Sequence, residues 1–206
     1  VIDAPDRRLR FERERTERVR IIKGQIEEAI RRVGLGRPVV LELCCGHGHF
    51  LADRAAEDAS RCYIGVDYCS DRIGRARRKQ ERGGWGNLQF LRAEVFELLE
   101  AWPESIRVES CFVLFPDPWP KKRHSKNRVF CSRLLDRLSA IAVEGATLYF
   151  RTDASFYFEE ALQVAVRHPA WELHLEPAWP FGGDTVFQRR AATYRTLACV
   201  KRPKAR

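Results

Sequence analysis

The sequence predicts an α/β fold: a doubly wound, mostly parallel sheet of seven strands with an antiparallel edge strand and helices on both faces. Three observations carry this. Five short apolar runs alternate with five helix-like stretches between residues 39 and 166, the pattern of parallel strands joined by crossover helices. The first run ends in LELCCGHGHF (41–50), where small residues mark the passage from strand to helix. Beyond residue 166 the alternation stops, and two strand-like runs follow with no helix between them, which points to antiparallel pairing at a sheet edge.

Taken in order, Phe11, Val19, Ile22, Ile26 and Ile30 recur near helical period among charges, so residues 11–33 read as an amphipathic helix that ends around Gly34 to Pro38. VVLEL (39–43) is the first strand, followed by a helix from about Gly48. CYIGVD (62–67) leads to a helix through Arg77 and Lys79, and NLQFL (87–91) to a helical stretch around Glu97 and Leu98. SCFVLF (110–115) runs through PDPWPKKRHSKNR (116–128) to a helix over Leu134 to Ile141, and ATLYF (146–150) precedes one from Ser155 to Val166. WELHLE (171–176) and TYRTLACV (193–200) close the sheet. A helical segment over 1–38 thus precedes a sheet domain over 39–206, the two forming a single domain overall.

A chain of 206 residues can bury a real core, and 45% hydrophobic with 32% charged residues reads as globular. No apolar run approaches the roughly 20 residues of a membrane helix, and the start, VIDAPDRRLRFERERTERVR, is too charged for a signal peptide. The chain has no methionine, so residue 1 is not an initiator and a preceding piece is expected. A net charge of +9 favours a polyanionic partner, nucleic acid before membrane. Seven cysteines, an odd count without a CxxC, sit mostly in apolar runs, as reduced thiols of the cytoplasm do.

The chemistry lies at strand ends. Gly46 and Gly48 let backbone amides approach a ligand closely. A dinucleotide fingerprint wants a third glycine where Leu51 stands, which disfavours NAD. Glu42 lies inside the first strand, and Asp67 ends the second, where a carboxylate can accept both hydroxyls of a ribose. His47 and His49 beside Cys44 and Cys45 converge poorly for a metal and read as loop histidines near a ligand. No nucleophile elbow or Ser-His-Asp order occurs. Glu94, Asp117 and Asp153 follow strands three, four and five. Pro116 and Pro118 hold Asp117 at a fixed angle, Trp119 is expected to pack as a hydrophobic anchor, and the bases from Lys121 to Arg128 suit phosphates.

An acid in strand one, a GxG turn and an acid after strand two resemble the S-adenosylmethionine site of Rossmann-like class I methyltransferases. There the ligand's cationic end suits acids that a pyrophosphate would not tolerate. PDPWPKKRHSKNR, then RTDASFYFEE (151–160) and TVFQRR (185–190), resembles the tRNA (guanine-N7)-methyltransferase family from about residue 39 onward. The resemblance implies that S-adenosylmethionine is held by Glu42, Gly46, Gly48, Asp67 and Glu94. It implies that Asp117 is the catalytic carboxylate near both cofactor and base, and that Lys121, Asp153, Thr185 and Gln188 contact the target nucleotide. Arg123, His124, Lys126 and Arg128 would meet the backbone of tRNA, whose variable loop carries the guanine. Four residues depart from the family's usual ones. Cys44 stands where glycine is usual, Gln188 where glutamate is, and Asp67 and Glu94 exchange the usual Glu and Asp. The alternatives are a class I methyltransferase acting on another RNA or base, and a non-catalytic paralogue that binds tRNA.

Overall fold

A computed structural model of the chain describes residues 4–33, 36–181, 188, 191 and 193–203. In chain order the elements are α1 (Ala4–Val33), β1 (Val39–Leu43), α2 (His49–Glu57), β2 (Cys62–Asp67), α3 (Ser70–Gly83), β3 (Leu88–Arg92), α4 (Val95–Ala101) and β4 (Val108–Leu114). They continue with a 3-10 turn (Lys122–Asn127), α5 (Ser132–Ile141), β5 (Ala142–Thr152), α6 (Ser155–Arg167), β6 (Trp171–Leu175) and β7 (Arg195–Lys201). The strands form one sheet in the order β3-β2-β1-β4-β5-β7-β6. β1 lies between β2 and β4, both parallel to it, so the chain reverses its direction of sheet growth there. Beyond β5 the last two strands pair antiparallel, as expected. β7 inserts between β5 and β6, which puts the reversed strand one place inside the edge.

Each face of the sheet has its own core. In β1, Val39, Leu41 and Leu43 point to one side and Val40 to the other, the period of two that a doubly covered strand requires. The first side packs on Ile22, Ile26 and Ile30 of α1 and on leucines of α4 and α5. The second packs on Phe50 and Leu51 of α2 and Ile73 and Ala76 of α3. Complete burial of a residue such as Leu41 or Leu135 contributes roughly 1.5–3 kcal/mol, so these layers, not surface ion pairs, hold the sheet flat against its helices.

The N-terminal helix starts earlier than its apolar stripe predicts. Phe11, read as part of that stripe, is 60% exposed, because the helix runs past the sheet before Val19 makes contact. Its arginines are largely consumed by glutamates: Arg18 pairs with Glu97 of α4 at 2.7 Å, Arg15 with Glu100, Arg10 with Glu14 and Arg20 with Glu17. All seven cysteines are free thiols. No described helix is long and apolar enough to cross a membrane.

Gly48 and Gly65 are both covered by the ring of Phe90. A Cβ on Gly48 would lie 2.3 Å from Phe90 Cζ, and its φ of 65° is left-handed. Gly46 has a similar φ of 56° but open space around it. Gly48→Ala is therefore expected to cost at least about 2 kcal/mol, from the left-handed backbone plus overlap with the ring, and Gly46→Ala only about 1–2 kcal/mol from backbone strain. Urea midpoints of the two variants check the order; equal losses would mean that Phe90 swings away freely.

Candidate functional site at the carboxyl rim of the sheet

A cleft of about 310 Å³ opens at the carboxyl ends of β1–β4, beside the switch point, where an open α/β sheet presents its loops to a ligand. Of the acids and glycines read from the sequence, Gly46, Asp67, Glu94 and Asp117 line it. Cys44, His47, Tyr68, Arg72, Trp119 and Asn127 complete much of the wall.

Asp67 organises the floor. It ends β2, is buried, and accepts from the amide of Gly46 at 3.0 Å through Oδ2 and from that of Cys69 at 2.8 Å through Oδ1. The turn after β1 is thereby tied to the turn after β2. Glu94 caps the N-terminus of α4: its Oε2 accepts from the amides of Phe96 and Glu97 at 2.8 and 3.0 Å. Asp117 is exposed on the turn after β4, with no side-chain hydrogen bond or ion pair among the described residues.

Among the described residues, three of the four non-glycine residues with left-handed backbone stand at this cleft: Cys44 (φ 59°), Phe115 (φ 51°) and Trp119 (φ 47°). Such a conformation costs roughly 1–2 kcal/mol per residue. Cys44 thus adopts the shape that favours glycine, and the turn forms despite its side chain. Burial, then the nearby Asp67 and Asp117 carboxylates, pushes its thiol up to about 12, so it stays protonated.

Glu42 does not line the cleft. It lies buried behind it, with Oε2 lacking a hydrogen-bond partner among the described residues. Burial first, and then the Asp67 charge, pushes its carboxyl well above the usual range, opposed in part by Lys79. Lys79 is itself lowered by burial and donates to the carbonyl of His47 at 2.9 Å.

Several expectations change. Gly48 does not line the cleft, and a Cβ there would meet the Phe90 ring, so its small size serves packing. Trp119 joins neither core; it is 38% exposed, lines the cleft and meets the His124 ring edge-on at 5.8 Å. Arg128, expected on the phosphate-binding surface, is buried, because its guanidinium donates to the carbonyls of Pro118 and Trp119 and pairs with Glu160. Lys121, Arg123 and Lys126 are exposed along the 3-10 turn, and His124 is half-buried beside Trp119. Asp153 is exposed after β5 but outside the cleft. Gln188 is buried and donates to Tyr194 Oη at 3.0 Å, and Thr185 lies outside the described residues. His47 lines the cleft. The described residues hold no group of three or more His, Cys, Asp or Glu placed to hold a metal ion.

Tyr68 and Arg72 went unread in the sequence. Arg72 sits in the first turn of α3 with Nη1 3.7 Å from Asp67 Oδ2. The only available signal was its place one turn after a strand-ending acid.

The donor set decides which ligand fits. Three carboxylates face one arginine, and the Gly46 amide that a pyrophosphate would need is already held by Asp67. A ligand with hydroxyls and a positive charge suits these walls.

A family model described as "Putative methyltransferase" matches residues 36–189. A curated tRNA (guanine-N(7)-)-methyltransferase of Alkalilimnicola ehrlichii is 31% identical over 171 residues, 81% of this chain and 72% of that protein. One from Halorhodospira halophila is 35% identical over 131 residues, 64% of this chain; the matched region spans 57% of that relative's length. Among solved structures, the 16S rRNA methyltransferase KamB aligns with a TM-score of 0.62 at 20% identity, covering 87% of this chain and 94% of that one. An rRNA methylase from Streptococcus thermophilus aligns at 0.59 and 11%, covering 85% and 93%. At these identities the structures speak for the fold alone.

The raised Glu42 makes a pH prediction. A carboxyl that binds its proton more tightly folded than unfolded stabilises the fold at low pH, and that stability is lost as pH rises from the ordinary glutamate range through the folded value. Glu42→Gln is expected to flatten this slope and to raise stability at neutral pH. Urea midpoints between about pH 5 and pH 8 measure it; a variant that keeps the wild-type slope, or is less stable at neutral pH, contradicts it.

Proposed function

The chain belongs to the tRNA (guanine-N7)-methyltransferase family, and from that premise we propose that it transfers a methyl group from S-adenosylmethionine to N7 of a guanine in tRNA, in the variable loop. The observation that carries the reading is one cleft in which Asp117, without a side-chain partner among the described residues, stands on the turn after β4 beside Asp67 and Glu94.

Asp67 and Glu94 would hold the cofactor's adenosine end by accepting from its hydroxyls and amines. Each keeps lone pairs beyond those that its backbone donors use. Glu42, buried behind this wall, would support it by packing rather than by charge. When bound, the cofactor supplies a sulfonium-activated methyl group as electrophile.

The protein's own part is alignment and charge. Guanine N7 carries a lone pair and no proton, so no strong base is needed. The purine becomes cationic as it is methylated, and the Asp117 carboxylate supplies a fixed negative charge for it. Trp119, half-exposed at the cleft mouth, offers a face on which a splayed-out base can stack. Lys121, Lys122, Arg123 and Lys126 would bind backbone phosphates; among the described residues none of them pairs with an acid. The seven free thiols support a cytoplasmic site of action.

The non-catalytic alternative draws on Gln188 and Cys44, and the glycine-like backbone of Cys44 weakens the second of these grounds. Incubation with labelled S-adenosylmethionine and unmodified bulk tRNA is expected to place label in 7-methylguanosine. Label in other nucleosides alone would point to another base, and cofactor binding without transfer to a tRNA-binding paralogue. Asp117→Ala should lower kcat by about 100-fold or more with unchanged far-UV circular dichroism; undiminished turnover would remove it from the chemistry. Lys122→Ala with Arg123→Ala should weaken tRNA binding and reduce the slope of log K against log salt by about 2. A slope equal to that of wild type would move the RNA face elsewhere.

A further inference from the structure

Arg128 is the most heavily used side chain near the cleft, and nothing in the proposed chemistry employs it. It caps the 3-10 turn, its own amide donating to the Ser125 carbonyl at 3.0 Å, and then folds back beneath the loop. Nε donates to the carbonyl of Pro118 and Nη2 to that of Trp119, both at 2.9 Å. Nη1 pairs with Glu160 of α6. The guanidinium also lies over the rings of Phe156 and Tyr157, with centroids at 5.0 and 5.8 Å.

We infer that Arg128 is a positioning residue that clamps the Pro-Asp-Pro-Trp turn to α6 and thereby fixes where the Asp117 carboxylate stands in the cleft. This rests on the role proposed for Asp117. The two carbonyls it grips flank Trp119, whose backbone is left-handed, and the first belongs to the residue directly after Asp117. Without the fork no other hydrogen bond among the described residues ties the carbonyls of residues 116–119 to the body of the protein: Asp117 has no side-chain partner there, and Pro116 and Pro118 have no amide hydrogens to donate. A buried guanidinium with three separate partners cannot also serve phosphates.

Lysine keeps the charge and can keep the Glu160 pair, but a single ammonium cannot reproduce the planar fork on two carbonyls. Arg128→Lys is therefore expected to lower kcat at least about tenfold while the dissociation constants for S-adenosylmethionine and tRNA stay within about twofold. Amide hydrogen exchange should accelerate about tenfold at Phe115, His124 and residue 128, whose amides are hydrogen-bonded in and beside the turn, and stay unchanged in the rest of β5 and in α6. Unchanged kcat overturns the inference. So does weaker tRNA binding with a smaller salt slope at full kcat, which would make Arg128 a phosphate ligand. Exchange that rises evenly through β5 and α6 also overturns it, since the residue would then be merely structural. If wild type transfers no methyl to tRNA, the functional reading falls; the exchange measurement still judges the clamp, and unaltered rates in the turn sink it. Should Arg128→Ala fail to fold, the lysine variant carries the test.

Discussion

Asp67 accepts hydrogen bonds from two backbone amides on different connections, and the upper rim of the sheet is arranged around it. One amide belongs to Gly46 in the turn after β1 and the other to Cys69 ahead of α3. A buried carboxylate cannot afford to lose such donors, since an unsatisfied charge away from water costs far more than a surface one. The bond to Gly46 therefore settles the shape of the first turn, including the left-handed backbone of Cys44 and Gly46, and keeps that amide from serving an anionic ligand. It also leaves the cleft with an excess of carboxylates, which selects for a ligand bearing positive charge.

The rim stores strain, and the contacts that hold it are adequate to the task. Left-handed Phe115 and Trp119 cost roughly 1–2 kcal/mol each. Against them, the Phe115 amide bonds the Arg151 carbonyl at 2.8 Å, and Arg128 donates two charge-assisted bonds around Trp119. Hydrogen bonds from charged groups contribute roughly 1.5–3 kcal/mol each, so the turn is held in place with some margin. A side wall of rings supports the same region. Arg151 lies 3.8 Å from the Trp179 ring centroid and 4.8 Å from that of Tyr194, and Tyr194 meets Phe115 edge-on.

The excess positive charge of the chain is unevenly spent. On α1 the arginines mostly pair with glutamates, within the helix or on α4, where they secure the helix to the sheet. On the 3-10 turn after Asp117, lysines stand in solvent without acidic partners among the described residues. The second group keeps its charge for an outside polyanion, and it lies next to the cleft. Net charge alone indicates a kind of partner; the pairing pattern indicates a place.

Much of the architecture was legible in the sequence because it follows from local period. Runs such as VVLEL and CYIGVD are buried on both faces as inner strands, and the lack of a helix-like run in the sequence between WELHLE and TYRTLACV pointed to the antiparallel pairing that β6 and β7 adopt. Acids at strand ends were equally readable, because an open parallel sheet brings its carboxyl ends to one rim, and three of them share the cleft. Tertiary structure decided what depends on partners distant along the chain. Whether Gly48 makes room for a ligand or for a ring was set by Phe90, and whether Arg128 serves phosphates or carbonyls by Glu160 and the turn ten residues before it. A residue's type states which bonds it is able to make; only the packed chain determines which partner reaches it first and excludes water from the rest.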